Sequence, residues 1–202
     1  MGSKRSSLRR ELLRKLIHLS VLGAVPLMNY SEWLTVYLLC FGSMVYAASE
    51  QLRLEMISQG LNPVKTVQNI TLLLARDRES ADIVWGPVTL ALGAVTVILM
   101  FPGTAASAGI FCLALGDSAA LIAGKTIGGP KLPLSKEKSI SGAAACWIVC
   151  SAVVWVHTGD VLLSVFAGAA GAAVESVQLH NADNLLLPLT VAAVVEAGLM
   201  VL

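Results

Sequence analysis

Four carboxylates stand within or beside stretches that are otherwise almost free of charge: Asp117, Glu175, Asp183 and Glu196. Asp117 is the extreme case. In LALGDSAALIAGK (113–125), no charged residue precedes it back to Ile83, and none comes after it until Lys125. A lone carboxylate in the middle of a membrane helix costs about 3 kcal/mol on insertion scales, so such acids face a cavity, a partner or an ion. The next segment, GKTIGGPKLPLSKEKSISG (124–142), brings together lysines, glycines and serines. Glycine admits close backbone approach to a phosphate, and lysine supplies a compact positive charge. Carboxylates that hold Mg²⁺ beside such a loop are the parts that binding a nucleoside triphosphate requires. A third group is RRELLRKLIHLS, where Arg14, Lys15 and His18 share one helix face at i,i+4 and i,i+3 spacing. A fourth is RDRESADIVWGP, with Arg76, Arg78 and Glu79 ahead of Gly86-Pro87. Gly124-Lys125-Thr126 resembles the end of a phosphate-binding P-loop, but that motif needs a glycine where Ala119 stands and a strand before it.

The elements that carry these residues are apolar helices. The chain has 202 residues, 56% hydrophobic and 13% charged, where a soluble domain carries about a quarter charged. Uncharged runs such as 83–116 and 139–159 match the roughly 20 apolar residues of a bilayer-crossing helix. The expected fold is all-α and polytopic, with seven spans near 15–31, 32–49, 83–101, 104–124, 140–157, 160–179 and 184–202. The turns between them are Asn29-Tyr30-Ser31, Pro102-Gly103, HTGD (157–160) and HNADN (180–184). Of the 14 lysines and arginines, six lie between Lys4 and Lys15, four within 50–82 and four within 125–138. Two spans separate each cluster from the next, so all three fall on one side. The positive-inside rule makes that side cytoplasmic and places the C-terminus outside.

One membrane-embedded domain is expected over 1–202. A basic amphipathic arm (1–15) lies on the inner membrane surface, and 50–82 and 125–141 form cytoplasmic loops. The first is expected to hold amphipathic helix broken at Asn62-Pro63. The first span lacks a convincing cleavage site and reads as retained rather than as a signal peptide. The four cysteines have no metal-ligand spacing and read as packing residues. The small-residue run AGAAGAA (167–173) suits close helix contact within one chain or between two, which leaves homo-oligomerisation open. In this topology Asp117 and Glu175 point toward the cytoplasmic ends of their helices, with Asp183 just after the sixth. All three converge at one depth beside the lysine-rich loop.

Five of these pieces, in order, resemble the CTP-dependent lipid kinases that include dolichol kinase, phytol kinase and yeast-type diacylglycerol kinase. RKLIH (14–18) is similar to that family's Arg-Lys-x-x-His signature, and EQLR (50–53) to its Glu-x-x-Arg. RDRESADIVWGPVTLALG resembles its charged stretch leading into Gly-Pro, and GDSAALIAGKTIGGPKLPLSKEKSISG its Gly-Asp, Gly-Lys and Lys-Ser-x-x-Gly core. VESVQLHNADNLLLP is similar to its closing Glu, Asp-Asn and Pro. The chain is much shorter than eukaryotic dolichol kinases, which implies little more than a catalytic core. The core loop also resembles that of phosphatidate cytidylyltransferases. Their closing His-Gly-Gly-x-x-Asp-Arg-x-Asp pattern has only His180 and Asp183-Asn184 as counterparts here.

The resemblance implies phosphoryl transfer from CTP to the hydroxyl of a membrane lipid alcohol, an isoprenoid alcohol or diacylglycerol, at the cytoplasmic face. Asp117, Glu175 and Asp183 would hold Mg²⁺, and Asp117 or Asp183 would act as base, with Lys138 catalytic. Contacts to CTP would come from Gly116, Gly124, Lys125, Lys131, Lys136, Lys138, Ser139, Gly142 and Asn184. Arg14, Lys15, His18, Arg53, Arg76 and Glu79 would complete them. The expected partners are the nucleotide, the lipid substrate and the bilayer, with no nucleic acid. A cytidylyltransferase making a CDP-lipid and a small proton- or ion-coupled transporter are the competing readings. The lack of an internal repeat weighs against the transporter.

Overall fold

The structure is a computed structural model describing residues 14–61 and 83–201, apart from 134, 136, 137, 178 and 180. Its described residues form seven helices joined mostly by tight turns. Helix α1 covers 14–30 and passes through a short 3₁₀ turn at Val21–Gly23. The others are α2 (Glu32–Ser58), α3 (Gly86–Met100), α4 (Gly103–Thr126), α5 (Ile140–Thr158), α6 (Val161–Ser176) and α7 (Asp183–Leu199). Each junction has a local chemical reason. Ser31 caps α2 by accepting from the Leu34 amide, and Asp160 caps α6 by accepting from that of Leu163 at 2.6 Å. Pro87 stands in the first turn of α3, where its missing N–H has no partner to lose.

Among the described residues two helices, α4 and α5, are long and apolar enough to cross a membrane. They are used differently. Helix α4 is the buried centre, with Ala105, Ala108, Ile110 and Leu113 fully covered. Helix α5 turns Ile148, Trp155 and Val156 outward, and α2 likewise exposes Trp33, Tyr37, Phe41 and Met44. The small residues of α6 are used inside the chain. A side chain at Gly168 would meet the Trp147 carbonyl of α5 at 2.9 Å, and one at Gly171 would meet Val191 of α7 at 3.0 Å. Cys112, Cys146 and Cys150 are buried and unoxidised, as packing residues are.

Two boundaries correct the sequence reading. Helix α2 does not stop at 49; it runs on unbroken to Ser58, so 50–58 continues the second helix rather than forming a separate amphipathic one in the connection. Glu50 and Arg53, one turn apart, neutralise each other there, with Arg53 Nη2 donating to Glu50 Oε2 at 3.0 Å. Glu50 also receives the Val84 amide at 3.4 Å, which fastens the approach to α3 onto α2. Lys125 likewise belongs to the last turn of α4 rather than to a loop starting at 125, a helix end that favours a cation. The arm up to residue 13 and the Asn62-Pro63 break lie outside the described residues. Because both Glu50 and Arg53 are buried, Arg53→Met removes the cation in contact with a buried carboxylate and should cost about 3–5 kcal/mol. Thermal unfolding in detergent should show the loss, and the double change Glu50→Gln with Arg53→Met should recover most of it.

Candidate functional site

Contacts between residues far apart in sequence define one end of the bundle. Lys15, at the start of α1, gives its ammonium to the Asp117 carboxylate of α4. His18, one turn further along α1, lies 3.6 Å from the same Asp117 oxygen, with Nε2 also 3.2 Å from Asn184 Oδ1 of α7. Asn184 Nδ2 donates to the Gly86 carbonyl at 3.3 Å and to Thr89 Oγ1 at 3.0 Å, both on α3. Lys138, just ahead of α5, donates to Glu175 Oε1 at the end of α6 at 2.6 Å and reaches Asp183 Oδ2 at 3.5 Å. The starts of α1, α3, α5 and α7 therefore meet the end of α6. That is the alternation of up and down helices a short-looped bundle produces.

Asp117 is nine residues before the end of α4, about 14 Å along the axis, so it is deeper than a helix-end residue. It comes directly after a π-helical segment, Cys112–Gly116. Such a segment adds a residue to the turn and rotates the remainder of the helix by about 100° relative to a regular one. The Asp117 side chain is only 14% exposed and that of Lys15 only 6%. The energetic oddity of a carboxylate in a greasy helix is thus resolved within the chain: the offsetting cation is the ammonium of Lys15.

Lys138 is placed by its loop. Gly128 and Gly129 take positive φ, 70° and 113°, and turn the chain back toward α5. Leu132 N donates to the Lys138 carbonyl at 3.0 Å and Ile140 N to that of Pro130 at 3.1 Å, closing a small antiparallel clasp. Ser139 then caps α5 by accepting from Gly142 N at 3.2 Å. Burial opposes the charged form of Lys138, but Glu175 at contact distance, Asp183 and Asp117 outweigh it and raise its pKa. A group raised this way keeps its stabilising charge through the ordinary value of 10.5 and loses it only above. Lys138 itself therefore stays charged through the neutral range.

The structure brings together Lys15, His18, Asp117, Lys138, Glu175, Asp183 and Asn184. Arg14 contributes its carbonyl, 3.2 Å from His18 Nδ1. Arg53 is engaged by Glu50, Lys125 is exposed in the last turn of α4, and Lys131 is exposed in the loop that follows. Lys136, Arg76 and Glu79 lie outside the described residues, as does His180. The glycines are held by packing. Side chains at Gly116, Gly124 and Gly142 would meet Cys150 Sγ at 2.6 Å, Ser139 Oγ at 3.0 Å and the Ala120 carbonyl at 2.8 Å. The sequence reading missed Thr89 and the pairing of Lys15 with Asp117. A buried carboxylate demands a nearby cation, and RKLIH at the matching helix end was the available signal.

The residues fit a hard divalent cation in kind. Glu175 and Asp183 both reach one Lys138 nitrogen, so two carboxylate oxygens lie within about 6 Å of each other. Glu175 Oε2 is buried with no hydrogen-bond partner among the described residues. No three His, Cys, Asp or Glu side chains among those residues gather as a ready metal cage, but Mg²⁺ is commonly held by one or two carboxylates together with substrate phosphates and water.

The way α7 enters the site depends on α3. Pro188 has no N–H to offer the Asn184 carbonyl one turn back, and that carbonyl rests against Gly93, where any side chain would also meet Asn184 C at 3.1 Å. Gly93→Ala should push α7 away and destabilise the protein by about 1–3 kcal/mol, read as a lower unfolding temperature in detergent.

No protein-family model, curated protein or solved structure matches this chain.

Proposed function

We propose that the chain is a multi-pass membrane enzyme that transfers the γ-phosphoryl group of CTP to the hydroxyl of a lipid alcohol at the cytoplasmic face. The observation that carries this is the meeting of the RKLIH motif, Asp117, Lys138, Glu175 and Asp183-Asn184 at one end of the helices. Those are the motifs in which the sequence resembles the CTP-dependent lipid kinases, and neutralising buried carboxylates would need only separate ion pairs, not the gathering of all these motifs at one end. Seven crossings with the N-terminus inside account for the three basic clusters on one side. They also account for the apolar outer faces of α2, α5 and α6.

In this reading the lipid hydroxyl oxygen forms a bond to the γ-phosphorus while the bridging bond to the β-phosphate breaks, and CDP leaves. The hydroxyl proton passes to a carboxylate, Asp117 or Asp183. Lys15 and Lys138 neutralise phosphate charge, and His18 and Asn184 hold the end of α1 against α7 so that Asp117 keeps its aim. Glu175 and Asp183 would hold Mg²⁺, which supplies charge stabilisation to the β- and γ-phosphates when bound. Phosphoryl transfer asks a protein for positioning and electrostatics more than covalent chemistry, and a cluster of fixed opposite charges supplies both.

The test is incubation of the purified protein with Mg²⁺, a mixed lipid extract and CTP labelled at either the γ- or the α-phosphorus. Label from the γ position in lipid is the expected result. Label from the α position would replace the kinase with a cytidylyltransferase. No turnover, together with nucleotide-independent ion flux in liposomes, would replace the enzyme with a transporter.

A further inference from the structure

Between α1, α2 and α3 lies a cavity of about 500 Å³ with a largely apolar lining, in the range of small-molecule sites. We propose that it holds the hydrocarbon tail of a single-chain lipid alcohol, with the hydroxyl directed at the Lys15–His18–Asp117 cluster. Three observations converge on that occupant. One end of the cavity lies next to the site along the chain: it is lined by Ile17, the neighbour of His18, and by Pro87, the neighbour of Gly86, whose carbonyl Asn184 holds. Tyr46, which donates to the Val84 carbonyl at 3.2 Å, closes the same end with a polar group. From that end it runs along α1 to Leu27, ten residues and about 15 Å further.

Shape and lining select the class of ligand. The volume spread over that length leaves a cross-section of about 33 Å², which suits one extended hydrocarbon chain rather than the paired chains of a diacylglycerol. Leu38 lines the cavity and is 45% exposed, so the groove opens sideways along α2 at the level of the bilayer. A lipid could enter from the membrane without crossing water. The space is kept open by two glycines on separate helices, Gly23 of α1 and Gly42 of α2. A side chain added at either position would meet no atom within 4 Å. Helix interiors ordinarily disfavour glycine by about 1 kcal/mol, and neither glycine is needed for close backbone packing.

The inference rests on the proposed activity in one respect, the orientation of the hydroxyl toward the cluster; occupancy of the groove is tested without it. A long-chain primary alcohol carrying a mid-chain diazirine, photolysed with the protein in lipid vesicles without CTP, should crosslink within the Leu38–Gly42 stretch and the facing turns of α1. Unlabelled long-chain prenol should compete for this crosslinking, and diacylglycerol should not. Gly42→Leu and, separately, Gly23→Leu should each fill the groove and lower specific crosslinking by about tenfold or more. Both should keep the helical circular dichroism and unfolding temperature of the parent, since each adds a side chain to open space. Crosslinks spread evenly over the outward faces of α5 and α6, unchanged labelling in both leucine variants, or equal competition by diacylglycerol would each overturn the proposal. If the groove labels as expected while γ-labelled CTP transfers nothing to lipid, the lipid site stands and the kinase reading falls.

Discussion

Asp117→Asn should lower transfer of the γ-phosphoryl group by about two to three orders of magnitude, the usual cost of removing one preorganised electrostatic group from an active site. It should also destabilise the protein, because the Lys15 ammonium, 6% exposed, would lose its counter-charge. Breaking one side of a buried pair costs about 3–5 kcal/mol. The two effects separate in a double variant. Lys15→Met with Asp117→Asn removes both charges from the interior, so unfolding temperature in detergent should return close to that of the parent. Product formation should stay at the level of the single variant. Recovery of activity along with stability would mean that Asp117 only holds α4 against α1. Lys15→Met alone supplies the third corner of the cycle: it leaves the carboxylate buried without its ammonium, and should lose stability as much as Asp117→Asn does.

Much of the bundle is legible in the sequence because apolar runs and their breakers are local signals. Ser31, Pro102, Gly159-Asp160 and Asp183 mark helix ends through capping and backbone geometry that each residue carries with it. The end of α2 is not legible in this way. Glu50 and Arg53 look like the start of a polar segment, and their mutual pairing together with the Val84 amide helps the helix continue to Ser58. The candidate site divides similarly. Asp117, Glu175 and Asp183 can be picked out by residue type, since charge in an apolar stretch is conspicuous. Which cation meets which carboxylate cannot, because Lys15 and Asp117 are 102 positions apart. The glycines show the limit of reasoning from residue type. Gly116, Gly124 and Gly142 suit a phosphate loop by composition, yet each lies where an added side chain would crowd a neighbour, Cys150, Ser139 or the Ala120 carbonyl. The sequence resemblance and the packing requirement point to the same residues for different reasons.

Lys138→Met should reduce turnover by about a hundredfold while separating two roles that one ammonium now fills. Lys138 is the most exposed member of the cluster, its side chain at 23%, and it is the group that stands between Glu175 and Asp183. Without it two carboxylates face each other across a few ångströms, one of them, Glu175, only 5% exposed. Stability should fall by about 3 kcal/mol, the lower end of what an uncompensated buried charge costs. Adding Glu175→Gln removes that charge and should restore the unfolding temperature. If Lys138 acts on the nucleotide, turnover in the double variant stays low and the CTP concentration needed for half-maximal rate rises. If it acts only as a clamp between α5, α6 and α7, the double variant regains stability, and the CTP concentration needed for half-maximal rate in Lys138→Met stays that of the parent. Lys138→Arg adds a check on geometry. A guanidinium keeps the charge but spreads it over a planar fork, so it should preserve folding through Glu175 and return only part of the rate. The ammonium's compactness is what allows one residue to touch Glu175 at 2.6 Å and Asp183 at 3.5 Å from a loop clasped through Leu132 and Ile140.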